Sequence, residues 1–448
     1  MRDYRSVADQ VAAEITSGVL KPGDRLPPQR AFARRHGIAN STATRVYQEL
    51  GRRGLTVGEV GRGTFVRAAA PTDPPALGEP AGSRVDLEFN YPVAPGQPEL
   101  LAASLEGLLR PDVLADALRP VGPAGHPAAR EAAADLLVRG GWRPDPARVL
   151  FAGNGRQALS AVFAALVPPG ARLGVEELTY PVVKAIAGRL GITLVPLAMD
   201  DDGLVPEAVE EAHRAGPLAA VYAQPVLHNP LSLTMPAPRA RRLAEVLRRL
   251  DLPLVEDTIW AFLHDELPPL AALLPERTVL VDSLSKRVAP GLSLGFVVAP
   301  AAPGPLLGSL AAGLRSGGWT AQRFNLEAVV RWQGEGVVGR LVRAKRQDAA
   351  VRQEIAARQL SGFELRTDPR SYHCWWRLPR PWRADTFVAA AARYGIGVPP
   401  AAAFTVGDAH APNAVRVGLA TPRTDELASA LSLLAQLARS APEDVVTD

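Results

Sequence analysis

Lys286, in the stretch VDSLSKRVAPGLSLGFVVAP, is one of only four lysines in the 448-residue chain, with Lys21, Lys184 and Lys345, whereas lysine and arginine together number fifty. A solvating position accepts arginine without loss. Chemistry that needs a deprotonatable primary amine does not, because guanidinium stays protonated and forms no imine. Lys286 is therefore a candidate imine-forming amine, against the plainer alternative of a lysine retained by chance on a loop. Other residues along the chain have types that suit such chemistry. Asp257 closes the apolar run LPLVED, Asn229 lies in HNP, and Tyr180 lies in EELTYP. GNGRQALSAVF is a glycine turn that opens a helix and offers Gly155, Arg156 and Gln157 to an anion at the positive helix end.

These types match what a pyridoxal-phosphate site requires. An amine forms the imine, a carboxylate keeps the pyridine nitrogen protonated, a donor meets the phenolic oxygen, and a cradle holds the phosphate. Lys286 and Asp257 fit the first two roles, Asn229 the third, the 155–157 turn the fourth, and Tyr180 is placed to stack on the ring. Taken singly, Asn229-Pro230 reads as a turn, Asp257 as a cap and Gly155 as a tight turn. Their order along the chain makes them a set.

The elements that must position this set are short apolar runs separated by helix-length stretches: 148–153, 172–177, 193–198, 219–225, 252–257, 278–283 and 294–300. That alternation predicts an α/β fold with a mostly parallel sheet covered by helices on both faces. Ligands in such sheets bind beyond the carboxyl ends of the strands, where Asp257, the HNP stretch and Lys286 fall.

Charge separates this unit from the start of the chain. Residues 1–67 hold twelve of the fifty Lys/Arg and six of the forty-six Asp/Glu, a net of +6, which leaves the remainder at −2. The head is the part that should meet an anion. Val7, Val11 and Ile15 recur at helical spacing, a second helix is expected over 29–36, and Asn40 or Ser41 can cap a third through STATRVYQEL. LTVGEVGRGTFV then alternates around a glycine-rich tip, which predicts a β-hairpin. A helix opening on short polar side chains suits a major groove, and a GRG tip suits the minor groove or backbone. Residues 68–86, rich in Pro, Ala and Gly without periodicity, read as a linker.

The stretch GDRLPPQRAFARRHGIANSTATRVYQELGRRGLTVGEVGRGTFV resembles the winged helix-turn-helix of GntR-type transcription regulators over its whole length. The resemblance implies that Arg30, Ser41, Thr42, Thr44 and Arg45 lie at double-stranded DNA, with Arg62 and Gly63 on the wing. Residues 87–440 resemble a fold-type I aminotransferase, with a smaller C-terminal α+β subdomain from about 335 to 440. The whole chain is similar to the MocR-type regulators. On that resemblance Lys286 carries the imine, Asp257 pairs the pyridine nitrogen, Asn229 meets the phenolic oxygen, Ser283 and Ser285 join the cofactor site, and Arg416 in NAVRVGL holds a ligand carboxylate. A homodimer is expected, because the fold builds its site at a subunit boundary and paired heads gain affinity by effective concentration.

The chain departs from the family at several positions. The phosphate-binding arginine expected seven residues after the lysine is Ser293, which leaves Arg156 or Arg287 to supply the charge. The tyrosine expected three residues after the aspartate is Trp260, and no tyrosine stands near Gly125. These changes favour a regulator that senses an amino compound or the cofactor over a working aminotransferase carrying a DNA-binding appendage. A cofactor-free scaffold is the third alternative.

Composition narrows the rest. The single cysteine, Cys374 in SYHCWWRLP, excludes an intrachain disulfide and a zinc site of several thiolates, and it reads as packing. No metal site is expected. Without a long uncharged apolar run, and with the charged start MRDYRSVADQ, the expected location is cytoplasmic with no membrane partner. Alternation sends Trp375 and Trp376 to opposite faces, and Phe404 falls where the resembled fold lines its ligand site.

Overall fold

The computed structural model describes residues 4–16, 19–21, 23–52, 55–59, 63–66, 83–302, 304–318, 320–407 and 411–442. At the start of the chain three helices, Tyr4–Thr16, Gln29–His36 and Asn40–Arg52, precede an antiparallel hairpin of Thr56–Glu59 and Gly63–Val66. The helical spacing of Val7 and Val11 becomes a buried seam with Ala43, Val46 and Leu50 of the third helix. Gly37 ends the second helix with φ 63°, a left-handed value that glycine adopts without strain.

Two local expectations change here. The third helix already includes Asn40, whose neighbour Ala39 accepts the Ala43 N–H at 3.0 Å, so Asn40 and Ser41 lie within the first turn instead of capping it from outside. A third strand, Arg25–Leu26, pairs antiparallel with Gly63–Val66. Its two residues are too few to show periodicity.

The linker expected to run through 86 ends earlier. Val85–Asp86 form a strand parallel to Ile396–Gly397, so this segment is built into the C-terminal part of the large unit. Residues 67–82 lie outside the described residues.

The seven apolar runs are the seven strands of one sheet, in spatial order Val149–Ala152, Gly295–Val298, Thr278–Ser283, Leu254–Asp257, Leu218–Ala223, Arg172–Glu176 and Thr193–Leu197. The last five pair in parallel. Gly295–Val298 runs antiparallel to both its neighbours, Thr278–Ser283 and Val149–Ala152. Helix Gly155–Leu166 packs Leu159, Val162 and Phe163 on one sheet face, and Leu326, Val329 and Trp332 cover strands such as Val149–Ala152 from the other. The inner strands and Val149–Ala152 are buried on both faces, as their unbroken apolar runs require, whereas the edge strand Thr193–Leu197 is partly exposed.

Beyond the long helix Val337–Gln359 lies a smaller antiparallel sheet of Glu364–Arg366, His373–Arg377 and Ala414–Gly418. Trp376 enters its core with Phe387 and Trp382, while Trp375 packs edge-on against Phe404 at 6.3 Å. The two tryptophans thus serve opposite faces. Cys374 is buried in the same core, and burial pushes its thiol up to about 12. Among the described residues no helix is long and apolar enough to cross a membrane, and no three His, Cys, Asp or Glu side chains group as a metal site.

Candidate functional site

Strand ends of the large sheet, the Asn154–Arg156 turn and the segment 88–91 enclose a cavity of about 310 Å³. Lys286 enters it from the short helix Leu284–Arg287, whose N-cap Ser283 accepts the Ser285 N–H at 3.2 Å. The Lys286 ammonium donates to the Asn90 carbonyl and sits 4.4 Å from the centre of the Tyr91 ring and 5.3 Å from that of Trp260. Burial, reinforced by the charges of Arg156 and Arg416, pushes its pKa down to about 7. A partly neutral amine at physiological pH is what a nucleophilic lysine needs.

A second lysine supports the first. Lys345, fully buried on the long helix, donates to the carbonyls of Lys286 at 2.8 Å and Val288 at 2.7 Å, and burial lowers it to about 7. Sequence reading passed over it, although the scarcity of lysine marks it as plainly as Lys286.

Asp257 closes its strand with a fully held carboxylate. Oδ2 accepts from the Tyr222 hydroxyl at 2.8 Å and Gln224 Nε2 at 2.9 Å, and Oδ1 accepts the Ile259 N–H at 3.1 Å. Burial raises it to about 6 against those hydrogen bonds. Gln224 also orients Asn229 by accepting its N–H at 3.3 Å, and Asn229 Oδ1 has no partner in this structure. Tyr222 and Gln224 were not singled out from sequence, because within a buried strand they read as packing.

At the other end of the cavity Asn154 caps helix Gly155–Leu166 by accepting the Gln157 N–H at 3.0 Å. The cap takes the Gln157 N–H, and Gln157, expected at the phosphate, is not among the residues that line the cavity. Gly155 and Arg156 do line it. A Cβ at Gly155 would sit 3.2 Å from Ser283 Oγ, so glycine permits the close approach of helix and hydroxyl. Ser283 and Ser285 share a hydroxyl contact at 2.6 Å, and the buried Ser293 Oγ faces the cavity without a partner.

Tyr180, at the N-cap of Pro181–Leu190, reaches the Arg156 guanidinium. Its phenol is the main cause that holds Arg156 above the usual arginine range, with Tyr91 adding to it. Arg416 rises from Ala414–Gly418, donates to the Glu88 carbonyl and lies 5.5 Å from the Phe404 ring centre, while its Nε has no partner. Burial pushes Arg416 down to about 10. Trp260 and Phe404 line the same cavity.

Arg287, offered from sequence as a second source of phosphate charge, turns away. It pairs with Asp282 at 2.7 Å and lines a separate cavity of about 160 Å³ with Arg139 and Arg346. The short helix explains this: Lys286 and Arg287 are consecutive on Leu284–Arg287, about 100° apart around its axis, so that Lys286 faces the first cavity and Arg287 the second.

In the head, Arg30, Ser41 and Arg45 are exposed and Thr42 is partly so. Thr44 is engaged differently: its hydroxyl donates to Gln29 Oε1 at 2.9 Å and to the Asn40 carbonyl at 3.0 Å, which ties the second helix to the third. Gly63 opens the second hairpin strand at φ 126°, and Arg62 lies outside the described residues.

Comparison with known proteins follows this division. The model of aminotransferase class I and II matches residues 116–434, and that of bacterial regulatory proteins of the gntR family matches residues 3–66. The uncharacterized HTH-type transcriptional regulator YdeF of Bacillus subtilis is 30% identical over 97% of this chain and 94% of its own length. The pyridoxine biosynthesis transcriptional regulator PdxR of Corynebacterium glutamicum is 26% identical over 68% of this chain and 67% of its own. Among solved structures, the α-aminoadipate aminotransferase LysN of Thermus thermophilus superposes with a TM-score of 0.71 at 22% identity, covering 79% of this chain and 92% of that one.

Proposed function

Because the chain belongs to the aminotransferase class I and II family and carries a gntR-family head for DNA, we propose that it is a transcription regulator whose large unit holds pyridoxal phosphate at Lys286 and senses an amino compound or the cofactor itself. The observation that carries this reading is the convergence, in one cavity, of a lysine lowered to about 7, a triply held carboxylate at Asp257, and unpartnered polar atoms on Asn229, Ser293 and Arg416.

Pyridoxal phosphate, when bound, supplies an aldehyde carbon that condenses reversibly with primary amines and a ring that withdraws electrons. The residues fit it. Asp257 would hold the proton on the pyridine nitrogen, a charge that offsets the burial now raising its pKa. Asn229 would meet the phenolic oxygen, Tyr180 the ring face, and Gly155, Ser283 and Ser285 the phosphate, with Trp260 beside the amine. Arg416 would take the carboxylate of an amino-acid-like ligand.

A route to the head follows from two contacts. Lys286 and Arg416 both donate to carbonyls of one segment, at Asn90 and Glu88. That segment leads back through Val85–Asp86 to the linker and the head. A ligand that engages either cation changes its hold on the segment, and paired heads on a homodimer would convert that change into altered spacing on DNA.

The test is the visible absorption spectrum of the protein with added pyridoxal phosphate, beside Lys286→Ala, followed by mobility shifts on the chain's own upstream DNA with amines that move the band. A band in the parent that is missing in the variant, and a mobility shift that responds to such an amine, are expected. Absence of any band, or indifference of DNA binding to every amine that moves it, would overturn the reading; a monomer by sedimentation would remove the spacing step.

A further inference from the structure

The phosphate of the cofactor proposed above is a dianion that must enter a largely buried cavity, where an unbalanced charge costs several kcal/mol. Lys286 cannot balance it, since its nitrogen is committed to the aldehyde carbon. Ser293, where the resembled fold has arginine, offers a hydroxyl with no charge.

The sequence offers two arginines in its place, Arg287 beside the lysine and Arg156 at the glycine turn, and the structure separates them. Arg287 is nine-tenths buried, has Asp282 at 2.7 Å, places its guanidinium 5.3 Å from the Phe262 ring centre and lines the other cavity. Its charge is matched and it faces the wrong side of the sheet. Arg156 lines the cofactor cavity from the first turn of helix Gly155–Leu166, next to the free N–H groups of the helix start. Among the described residues it pairs with no carboxylate; the Tyr180 and Tyr91 phenols are its neighbours, and its charge reaches Lys286.

We propose that Arg156 is the cation that holds the cofactor phosphate, moved from the loop after the lysine to the start of the helix before it. Its N–H groups donate to the phosphate oxygens alongside the Gly155 N–H, Ser283, Ser285 and the otherwise unpartnered Ser293 Oγ. The move also has a geometric sense. A serine at 293 frees the volume of an arginine side chain in the cavity wall, and Arg156 lines the same cavity.

This inference rests on the cofactor reading, and the experiment keeps the two apart. Dissociation constants for pyridoxal phosphate and for pyridoxal, which has the same aldehyde and no phosphate, are measured from the visible band in the parent, Arg156→Gln, Arg287→Ala, and Arg156→Gln combined with Ser293→Arg. The parent should prefer the phosphorylated form, and Arg156→Gln should reduce that preference about 10- to 100-fold, the range for loss of a charge-assisted hydrogen bond. Ser293→Arg should restore it, and Arg287→Ala should leave it unchanged. The ratio of the two ligands cancels any general loosening of the fold. An unchanged ratio in Arg156→Gln, or a ratio that collapses in Arg287→Ala instead, overturns the inference and leaves the cofactor reading intact. No band with either ligand in the parent overturns both.

Discussion

The two cavities that meet at the Thr278–Ser283 strand spend their charge in opposite ways. In the smaller one every arginine has an acid: Arg287 has Asp282 at 2.7 Å, Arg139 has Glu256 at 3.2 Å, and Arg346 has Asp265 at 2.8 Å. In the larger one Lys286, Arg156 and Arg416 have no carboxylate in ion-pair contact among the described residues. A buried cation with its acid in place is part of the framework. Lys286 and Arg416 are desolvated with no acid in contact, a standing cost that a bound anion would offset, whereas Arg156 is exposed to solvent and free of that cost. The same fold therefore sets acid-paired arginines a few residues from cations that have no acid in contact.

Breaking a matched pair should give the largest effect. Glu256→Ala would leave the Arg139 charge buried alone and also strip the N–H groups of Leu270 and Ala271 of their acceptor, at a cost of about 3–5 kcal/mol in urea unfolding. Arg416→Ala should cost less, since the cation has no acid in contact and gives up a carbonyl hydrogen bond and its packing, and it should abolish the response to carboxylate-bearing amines. Equal destabilisation by the two substitutions would erase the distinction drawn between the cavities.

The cost of the unmatched lysine should be visible in pH dependence of the cofactor-free protein. Lysine ordinarily titrates at 10.5 and folded Lys286 at about 7, so between these values the unfolded chain holds the extra proton and stability rises with pH. Lys345 contributes in the same direction. Lys286→Met should flatten the rise in unfolding midpoint between pH 7 and 10 without abolishing it, and an unaltered slope would mean that Lys286 is solvated. Asp257 has the opposite sign. Its folded value of about 6 lies above the ordinary 3.8, so the native state holds the extra proton in that window and stability falls as pH rises through it. Asp257→Asn should remove that fall.

These contrasts also show what the sequence made legible. Lys286 was found by residue choice, Asp257 by its place at the end of an apolar run, and the head by charge together with motif. Arg287 follows the lysine directly in the chain, yet the turn of the short helix Leu284–Arg287 points it into the other cavity. Tyr222 and Gln224 were missed because a polar side chain inside a buried strand shows its role only when its partner from another strand is known; both reach Asp257 from sites more than thirty residues away. The strand at Val85–Asp86 was absorbed into the linker because its partner, Ile396–Gly397, lies at the far end of the chain. Local signals survive in a sequence, and pairings over such separations do not.

The smallest expected effect tests the same contrast inside the head. Thr44 and Arg45 are adjacent on the third helix, and the resemblance put both at DNA, yet the Thr44 hydroxyl is already bonded to Gln29 and the Asn40 carbonyl while Arg45 is exposed with no partner among the described residues. Thr44→Val should cost about 1 kcal/mol of stability, the usual worth of a hydrogen bond, and change DNA affinity little at a temperature where the head stays folded. Arg45→Ala should leave stability unchanged, weaken DNA binding and, where its contact is a phosphate, lower the slope of log affinity against log salt by about one. If Thr44→Val instead weakens binding to one operator sequence without loss of stability, the hydroxyl reads a base, and engagement within the fold does not separate framework from binding residues in the head as it does in the two cavities.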